Sequence, residues 1–364
     1  MNHPVRTAII GTGGIANAHA AAIQQNAGRI ELVAVMDIDA DRANAFGDKY
    51  GVPLRFTNVD DLLTVAHPDL VQICTPPKEH TALAIKALEG GAHVWCEKPL
   101  CASLTEFDRI SEAEARTGRT VSTVFQWRSG AMGKHVYGLL ERGELGRPLV
   151  GVCNTLWYRD AAYYAVDWRG KWSNELGGVT LGHGIHLIDL YLWLMSAAGA
   201  EWESVHAQIA TLDHTIEIED VSLATVRFSS GALGSVVSSV VSPRQETYLR
   251  MDFQRGTVEV TGLYHYQNAN WRFTTYEKSP IPSETVSAWG SPDSDVPSGH
   301  AAALGDVIDS LALGKRPLVS AGESRRILEF ITSLYKSAFT GETIRRGSIT
   351  PDDPFYGALN GETK

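Results

Sequence analysis

The chain has 364 residues, 44% of them hydrophobic and 20% charged, which is the composition of a globular protein and not of a disordered one. One domain per ~150 residues predicts two domains, each large enough to bury its own core. The net charge of −10 and the lack of a basic stripe exclude a nucleic-acid partner, and no apolar run reaches the ~18 residues a membrane span needs.

In chain order, residues 5–10 form an apolar run that ends in Gly11-Thr12-Gly13-Gly14, and apolar residues at helical spacing follow from Ile15. Strand-like runs recur at residues 31–36, 54–56, 70–74, 92–96 and 121–125. Helical patterns separate most of them: Asn58 is placed to cap one, Gly90-Gly91 closes another, and a third starts at Ser103. Strands alternating with helices predict right-handed crossovers and a mainly parallel sheet. After Phe125 the texture changes. A helix near residues 132–142 leads to a strand at 149–157, an irregular aromatic stretch and a helix at 186–195. Six β-rich runs then follow between residues 205 and 276 with short turns and no helix between them, the mark of an antiparallel sheet. Residues 280–297 read as a loop, and two amphipathic helices near 301–313 and 323–339 close the chain. The fold class is therefore α/β plus α+β: a Rossmann domain over residues 1–125 and an α+β domain over 126–364 with a large, mainly antiparallel sheet. No signal peptide precedes the first strand. Cys74, Cys96, Cys101 and Cys153 form no C-x-x-C pair, so they read as the reduced thiols of a cytoplasmic protein.

Gly11 to Ala16 matches G-x-G-x-x-A directly after a strand and at the opening of a helix, the context that gives the motif meaning. Gly11 allows the tight turn, Gly13 lets the backbone approach a pyrophosphate, and Ala16 permits close helix–sheet packing. The helix start favours the anion, so Gly11, Thr12, Gly13, Gly14 and Ile15 are the expected cofactor contacts. Asp37 ends the second strand 21 residues after Ala16, where a carboxylate accepts from both ribose hydroxyls. Ile38, not an arginine, follows it, so NAD is expected over NADP.

The Rossmann start, Thr75-Pro76-Pro77 with His80, Glu97-Lys98-Pro99, and a glycine-rich segment with His186 and Asp189 together resemble the glucose–fructose oxidoreductase, inositol dehydrogenase and rhizopine catabolism (Gfo/Idh/MocA) family over nearly the whole chain. The resemblance implies NAD(P)-dependent oxidation of a sugar, cyclitol or glycoside alcohol, or reduction of the matching ketone. It also implies an open-faced sheet that packs against a second subunit in a homodimer or homotetramer. Thr75, Pro76, Pro77, His80, Glu97 and Lys98 become expected cofactor residues. Lys98, at the end of a strand, is the expected cation on the substrate oxygen, although a surface pair with Glu97 is the plainer reading. His186 takes the role of proton acceptor. Many members carry an aspartate four residues before that histidine. This chain has Gly182, which leaves His183 as the compensating candidate. Asp189, a helical turn after His186, supports it or simply packs.

Six aromatic residues crowd into positions 157–172. Tyr158, Tyr163 and Trp168 suit the C–H face of a sugar, and a subunit interface is the rival reading. Trp168-Arg169 resembles a family position near the nicotinamide. Gln126 and Arg128 are expected at the same site, for cofactor and substrate. His300 reads as an exposed helix-start residue or a contributor from the rim. The spacing of His183, His186 and Asp189 permits zinc, but no further ligand is marked and no metal is expected. Rival functions are a dihydrodiol dehydrogenase or biliverdin reductase-like enzyme, and a non-catalytic NAD-sensing regulator.

Overall fold

A computed structural model describes residues 3–362 and divides the chain into two compact units, residues 1–124 with 300–326, and residues 125–299 with 327–364. The first unit breaks off after Val124 and takes up residues 300–326 from late in the chain.

The first unit alternates β1 (Val5–Ile10), α1 (Ala16–Gln25), β2 (Ile30–Met36), α2 (Ala40–Tyr50), β3 (Leu54–Phe56), α3 (Val59–Ala66), β4 (Leu70–Ile73), α4 (His80–Glu89), β5 (His93–Cys96), α5 (Leu104–Thr117) and β6 (Val121–Thr123). Local chemistry sets these bounds. Asn58 and Ser103 cap α3 and α5 by accepting from backbone N–H groups, and Gly51 and Gly118 end α2 and α5 in the left-handed region. All six strands run parallel in the order β3-β2-β1-β4-β5-β6. The order reverses between β1 and β4, the switch point where such sheets bind ligands at their C-terminal edge.

The second unit holds α6 (Ala131–Glu141), β7 (Pro148–Tyr158), α7 (Ala161–Tyr164), α8 (Trp172–Glu175), α9 (Ile185–Ala197), β8 (Trp202–Ala210), β9 (Val221–Phe228), β10 (Leu233–Ser239), β11 (Val241–Phe253), β12 (Thr257–Gly262), β13 (Trp271–Thr274) and α10 (Ser283–Trp289). After α11 (His300–Ala312) in the first unit come α12 (Ala321–Thr340), β14 (Ile344–Arg345) and α13 (Pro354–Gly357). Ala303, Leu304, Val307 and Ile308 of α11 form one helical stripe in the same core as Ile9, Ile23, Val35 and Leu70, which is why this late segment joins the first unit.

The second sheet has the order β13-β12-β11-β7-β10-β9-β8-β14. Among the described residues only β7 and β10 pair in parallel in this sheet, so it is mainly antiparallel as expected. Burial alternates strictly along β9, so one face is packed and the other is not. Helix α9 covers the packed face. Gly151 and its partner across the ladder, Gly234, leave room for the Tyr191 hydroxyl, which a Cβ at either position would meet at 2.0 and 2.2 Å. Val150, Leu223 and Leu233 are exposed. Two expected loops contain helix: α10 lies within residues 280–297, and α7 and α8 break up the aromatic stretch. Asp160 caps α7 by accepting from the Tyr163 N–H. Periodicity cannot show such short elements.

Candidate active site

The strands of the first unit deliver Gly11, Asp37, Thr75 and Glu97 to one edge of the sheet. Gly11 sits at φ +88°, and a Cβ there would meet the Cys74 carbonyl carbon and the Thr75 Cγ2 at 2.9 Å, so only glycine makes this turn. Beyond it, Gly13 and Gly14 have nothing within 4 Å of where a side chain would begin. Helix α1 starts at Ile15 with no side-chain cap and no acid in its first turn. Thr75 Oγ1 is buried without a hydrogen-bond partner. An open glycine cradle, an uncapped helix start and an orphaned hydroxyl fit a dinucleotide pyrophosphate. Asp37 is 7% exposed; its Oδ2 accepts from the Thr12 N–H at 2.8 Å and the Thr12 hydroxyl at 3.0 Å, and its Oδ1 accepts from the Asp39 N–H at 3.1 Å. Sequence order concealed a neighbouring cation: the Arg42 Nε lies 4.0 Å from Asp37 Oδ1 and pairs with Asp39 at 3.0 Å. Ile38 stands exposed beside this carboxylate.

The turn after β5 carries Lys98, with a cis bond to Pro99. Two devices hold it. His80, expected at the cofactor, is fully buried and bridges the Pro99 carbonyl at 2.7 Å and the Thr75 carbonyl at 2.9 Å, so it braces the two turns against each other. Burial lowers the pKa of this imidazole, and its carbonyl contacts only partly offset that. Glu97, also expected at the cofactor, turns inward. His19 Nε2 and His300 Nε2 approach the same Oε1 at 3.0 and 3.1 Å, and the Lys98 N–H donates to Oε2 at 3.2 Å. Burial raises the Glu97 pKa, but the hydrogen bonds and charge of the two histidines outweigh it and hold the carboxyl well below the usual range. His300 is therefore no exposed helix start. The three ligand atoms lie within 4.8 Å of one another, and these hydrogen bonds explain their grouping. A polar chain orients the hub from behind: the Thr7 hydroxyl donates to the Leu70 carbonyl and accepts from Gln72 Nε2, which turns Gln72 Oε1 toward His19 Nδ1 at 2.7 Å.

In the second unit, Thr180–Gly184 forms a π-helical turn leading into α9, and His183 and His186 stand at that junction. Glu219 anchors the approach. It accepts from the Gly178 N–H at 2.9 Å, the Thr180 N–H at 3.0 Å and the Tyr335 hydroxyl at 2.8 Å. Burial raises its pKa, and these neutral donors only partly offset the rise. Arg128 is only 1% exposed, and Asp189 takes its guanidinium through Nε at 2.7 Å. Trp193 lies under the same guanidinium at 5.3 Å. Arg128 thus forms a buried ion pair with Asp189. Gln126 is 9% exposed, with its Oε1 buried and unpartnered.

Two residues of the aromatic stretch meet His183. Trp157 meets it edge-on with ring centroids 5.3 Å apart, and the Tyr163 hydroxyl lies 3.2 Å from His183 Nε2. Arg169 contacts that hydroxyl, stacks over Tyr163 at 3.8 Å and Trp168 at 4.4 Å, and pairs with Glu175 at 3.1 Å. Tyr158 is exposed. At Gly182 a Cβ would meet nothing within 4 Å, so no steric bar explains the missing aspartate. His19, and Glu219 with Tyr335, were not singled out from the sequence, and His300 was read without its partner Glu97. Their separations of 203 residues for His300–Glu97 and 116 for Tyr335–Glu219 leave no local signal.

A parallel sheet with an open glycine cradle at its switch point, an acid at the end of β2 and a braced lysine turn after β5 defines an NAD-binding oxidoreductase. The chain belongs to the oxidoreductase family with an NAD-binding Rossmann fold, whose model matches residues 5–125, and the GFO/IDH/MocA C-terminal domain matches residues 133–262. It is 24% identical to the D-glucoside 3-dehydrogenase of Escherichia coli (strain K12) over 360 residues, covering 94% of this chain and 97% of that one. It is 31% identical to the myo-inositol 2-dehydrogenase of Thermotoga maritima over 239 residues, 65% of this chain and 68% of the other. Among solved structures, the WlbA dehydrogenase from Bordetella pertussis in complex with NADH and UDP-GlcNAcA superposes with a TM-score of 0.82 at 30% identity, covering 94% and 98% of the two chains.

Proposed function

We propose that this chain oxidises a secondary alcohol of a sugar-like substrate, with a glycoside favoured, or reduces the matching ketone, using NAD. The observation that carries the reading is Lys98, held by a braced turn at the ligand edge of the Rossmann sheet. The glycoside preference rests on the glucoside dehydrogenase, which aligns over 94% of this chain where the inositol enzyme aligns over 65%.

The turn from Gly11 to Ile15 would hold the pyrophosphate, Asp37 and Ile38 the adenosine ribose edge, and Thr75 to Pro77 with Gln126 and the Trp168-Arg169 pair the remainder of the cofactor. Bound there, the nicotinamide supplies the hydride acceptor. Lys98 hydrogen-bonds the reacting oxygen and stabilises the negative charge that grows on it as the carbon–hydrogen bond breaks. His186 accepts the hydroxyl proton as the carbonyl forms, a step worth ~10²–10⁴ in rate. Tyr158 and Trp168 offer faces to the sugar C–H groups. Asp37 disfavours a 2′-phosphate by like charge, which supports NAD over NADP.

The exposed Val150, Leu223 and Leu233 lie on neighbouring strands of the uncovered sheet face, which supports a homodimer or homotetramer through that face. Four free, buried cysteines support a reducing, cytoplasmic setting. Among the described residues no helix is long and apolar enough to cross a membrane. The test is turnover of methyl glycosides, free aldoses, inositols and aromatic diols with NAD and NADP in parallel, for the native chain and for Lys98→Ala. The variant should lose nearly all turnover, at least ~10³-fold, while NAD binding stays near its native value. Normal turnover in Lys98→Ala, or activity confined to aromatic diols, overturns the reading.

A further inference from the structure

Resting on that reaction, we propose that Tyr163 and Arg169 hold His183 as the tautomer protonated on Nδ1, so that His183 donates a hydrogen bond to a substrate oxygen and leaves proton acceptance to His186. Hydrogen-bond direction carries the argument. A guanidinium has only donors, so the Arg169 contact makes the Tyr163 oxygen an acceptor. Arg159 stands beside the same phenol, with its guanidinium 5.3 Å from the ring centre. The buried phenol's own O–H then needs an acceptor, and His183 Nε2 lies 3.2 Å away. Nε2 then accepts, and the ring proton belongs on Nδ1.

Charge points the same way. Two guanidinium groups around the phenol disfavour a third cation on the adjoining imidazole, and Glu175 is turned to Arg169. Burial raises the Tyr163 pKa more than the nearby Arg169 lowers it, so the phenol keeps the proton it must donate. The Trp157 ring, edge-on to His183, fixes the plane of the imidazole. Gly182 gains a rationale: with Tyr163 orienting the neighbouring histidine, the segment places a neutral donor at 183 instead of a carboxylate at 182. Tyr163 is thus a positioning residue. It acts through His183.

The experiment is two-bond ¹H–¹⁵N correlation of ¹⁵N-histidine-labelled, NAD-saturated protein, with the His183 signals assigned by their loss in His183→Gln. The native spectrum should show His183 Nδ1 protonated and Nε2 bare. Tyr163→Phe should lose that fixed pattern and raise KM for the best glycoside about tenfold, the scale of one hydrogen bond to a polar group. It should leave the apparent pKa in the kcat–pH profile in place. A native His183 protonated on Nε2 or on both nitrogens overturns the proposal. So does a Tyr163→Phe spectrum identical to the native one, or a displaced kcat–pH profile. If Tyr163→Phe does not fold, the native spectrum and Arg169→Gln decide. If no alcohol is turned over, the reaction proposed above fails while the tautomer is still read.

Discussion

Glu97 and Glu219 are both buried acids, each in its own unit and each anchoring a segment that carries a candidate catalytic residue, yet they lie on opposite sides of the ordinary carboxylate pKa. Glu97 steadies the Lys98 turn and faces two imidazoles, so it stays ionised. Glu219 steadies the approach to His183 and His186 but its hydrogen-bond donors are uncharged, so burial wins. Burial alone does not decide the charge of an interior carboxyl. The charge of its partners does.

The contrast is broken or sharpened by substitution. Glu97→Gln leaves two histidines around a neutral amide, and should cost about 3 kcal/mol of stability in urea unfolding, the low end for breaking a buried pair. A cost near zero would mean the histidines are neutral and the hub carries no charge. A third carboxylate, Asp37, takes its bonds from one threonine and a backbone N–H at the sheet edge, where a ribose is expected. Asp37→Ala should weaken NAD by ~1.5–3 kcal/mol, or roughly 10- to 100-fold by calorimetric titration, and unchanged affinity would remove it from the cofactor site. Glu219→Gln turns one acceptor oxygen into an NH2 that faces a donor, and should cost about 1–2 kcal/mol in the same urea unfolding.

The subtlest effect is in pH. Between its ordinary pKa and its raised native one, the unfolded Glu219 gives up its proton first, so native stability falls as pH rises through that window. Glu97 works the other way. Its share is full above the unfolded value and is lost as pH falls through its depressed native pKa. Urea midpoints across pH should therefore lose a falling component in Glu219→Gln and an acid-side component in Glu97→Gln. Slopes of the same sign would refute the comparison.

The turn at Gly11, the acid at Asp37 and the strand ending before Lys98 were legible because each depends on residues within a few positions: a glycine that alone tolerates the backbone, a carboxylate at a strand end, a break in an apolar run. The second sheet was legible from its β-rich runs joined by short turns. What escaped were partners far apart in the chain. Nothing near Glu97 announces His300, and nothing near Arg128 announces that Asp189 will pair with it. The helix that begins at His300 read simply as amphipathic, and the periodicity that named its apolar stripe could not name the core it would enter.

Sequence alone determined the alternation of strand and helix in the first unit, the strand-rich character of the second, the glycine turn and the residue types available for hydride chemistry, because backbone preference and apolar periodicity are local properties. Only the tertiary structure decided to which side the pKa of each buried acid moves, which arginine pairs with a buried aspartate and which tyrosine contacts a histidine. Those outcomes depend on desolvation and on hydrogen-bond partners brought together from distant parts of the chain.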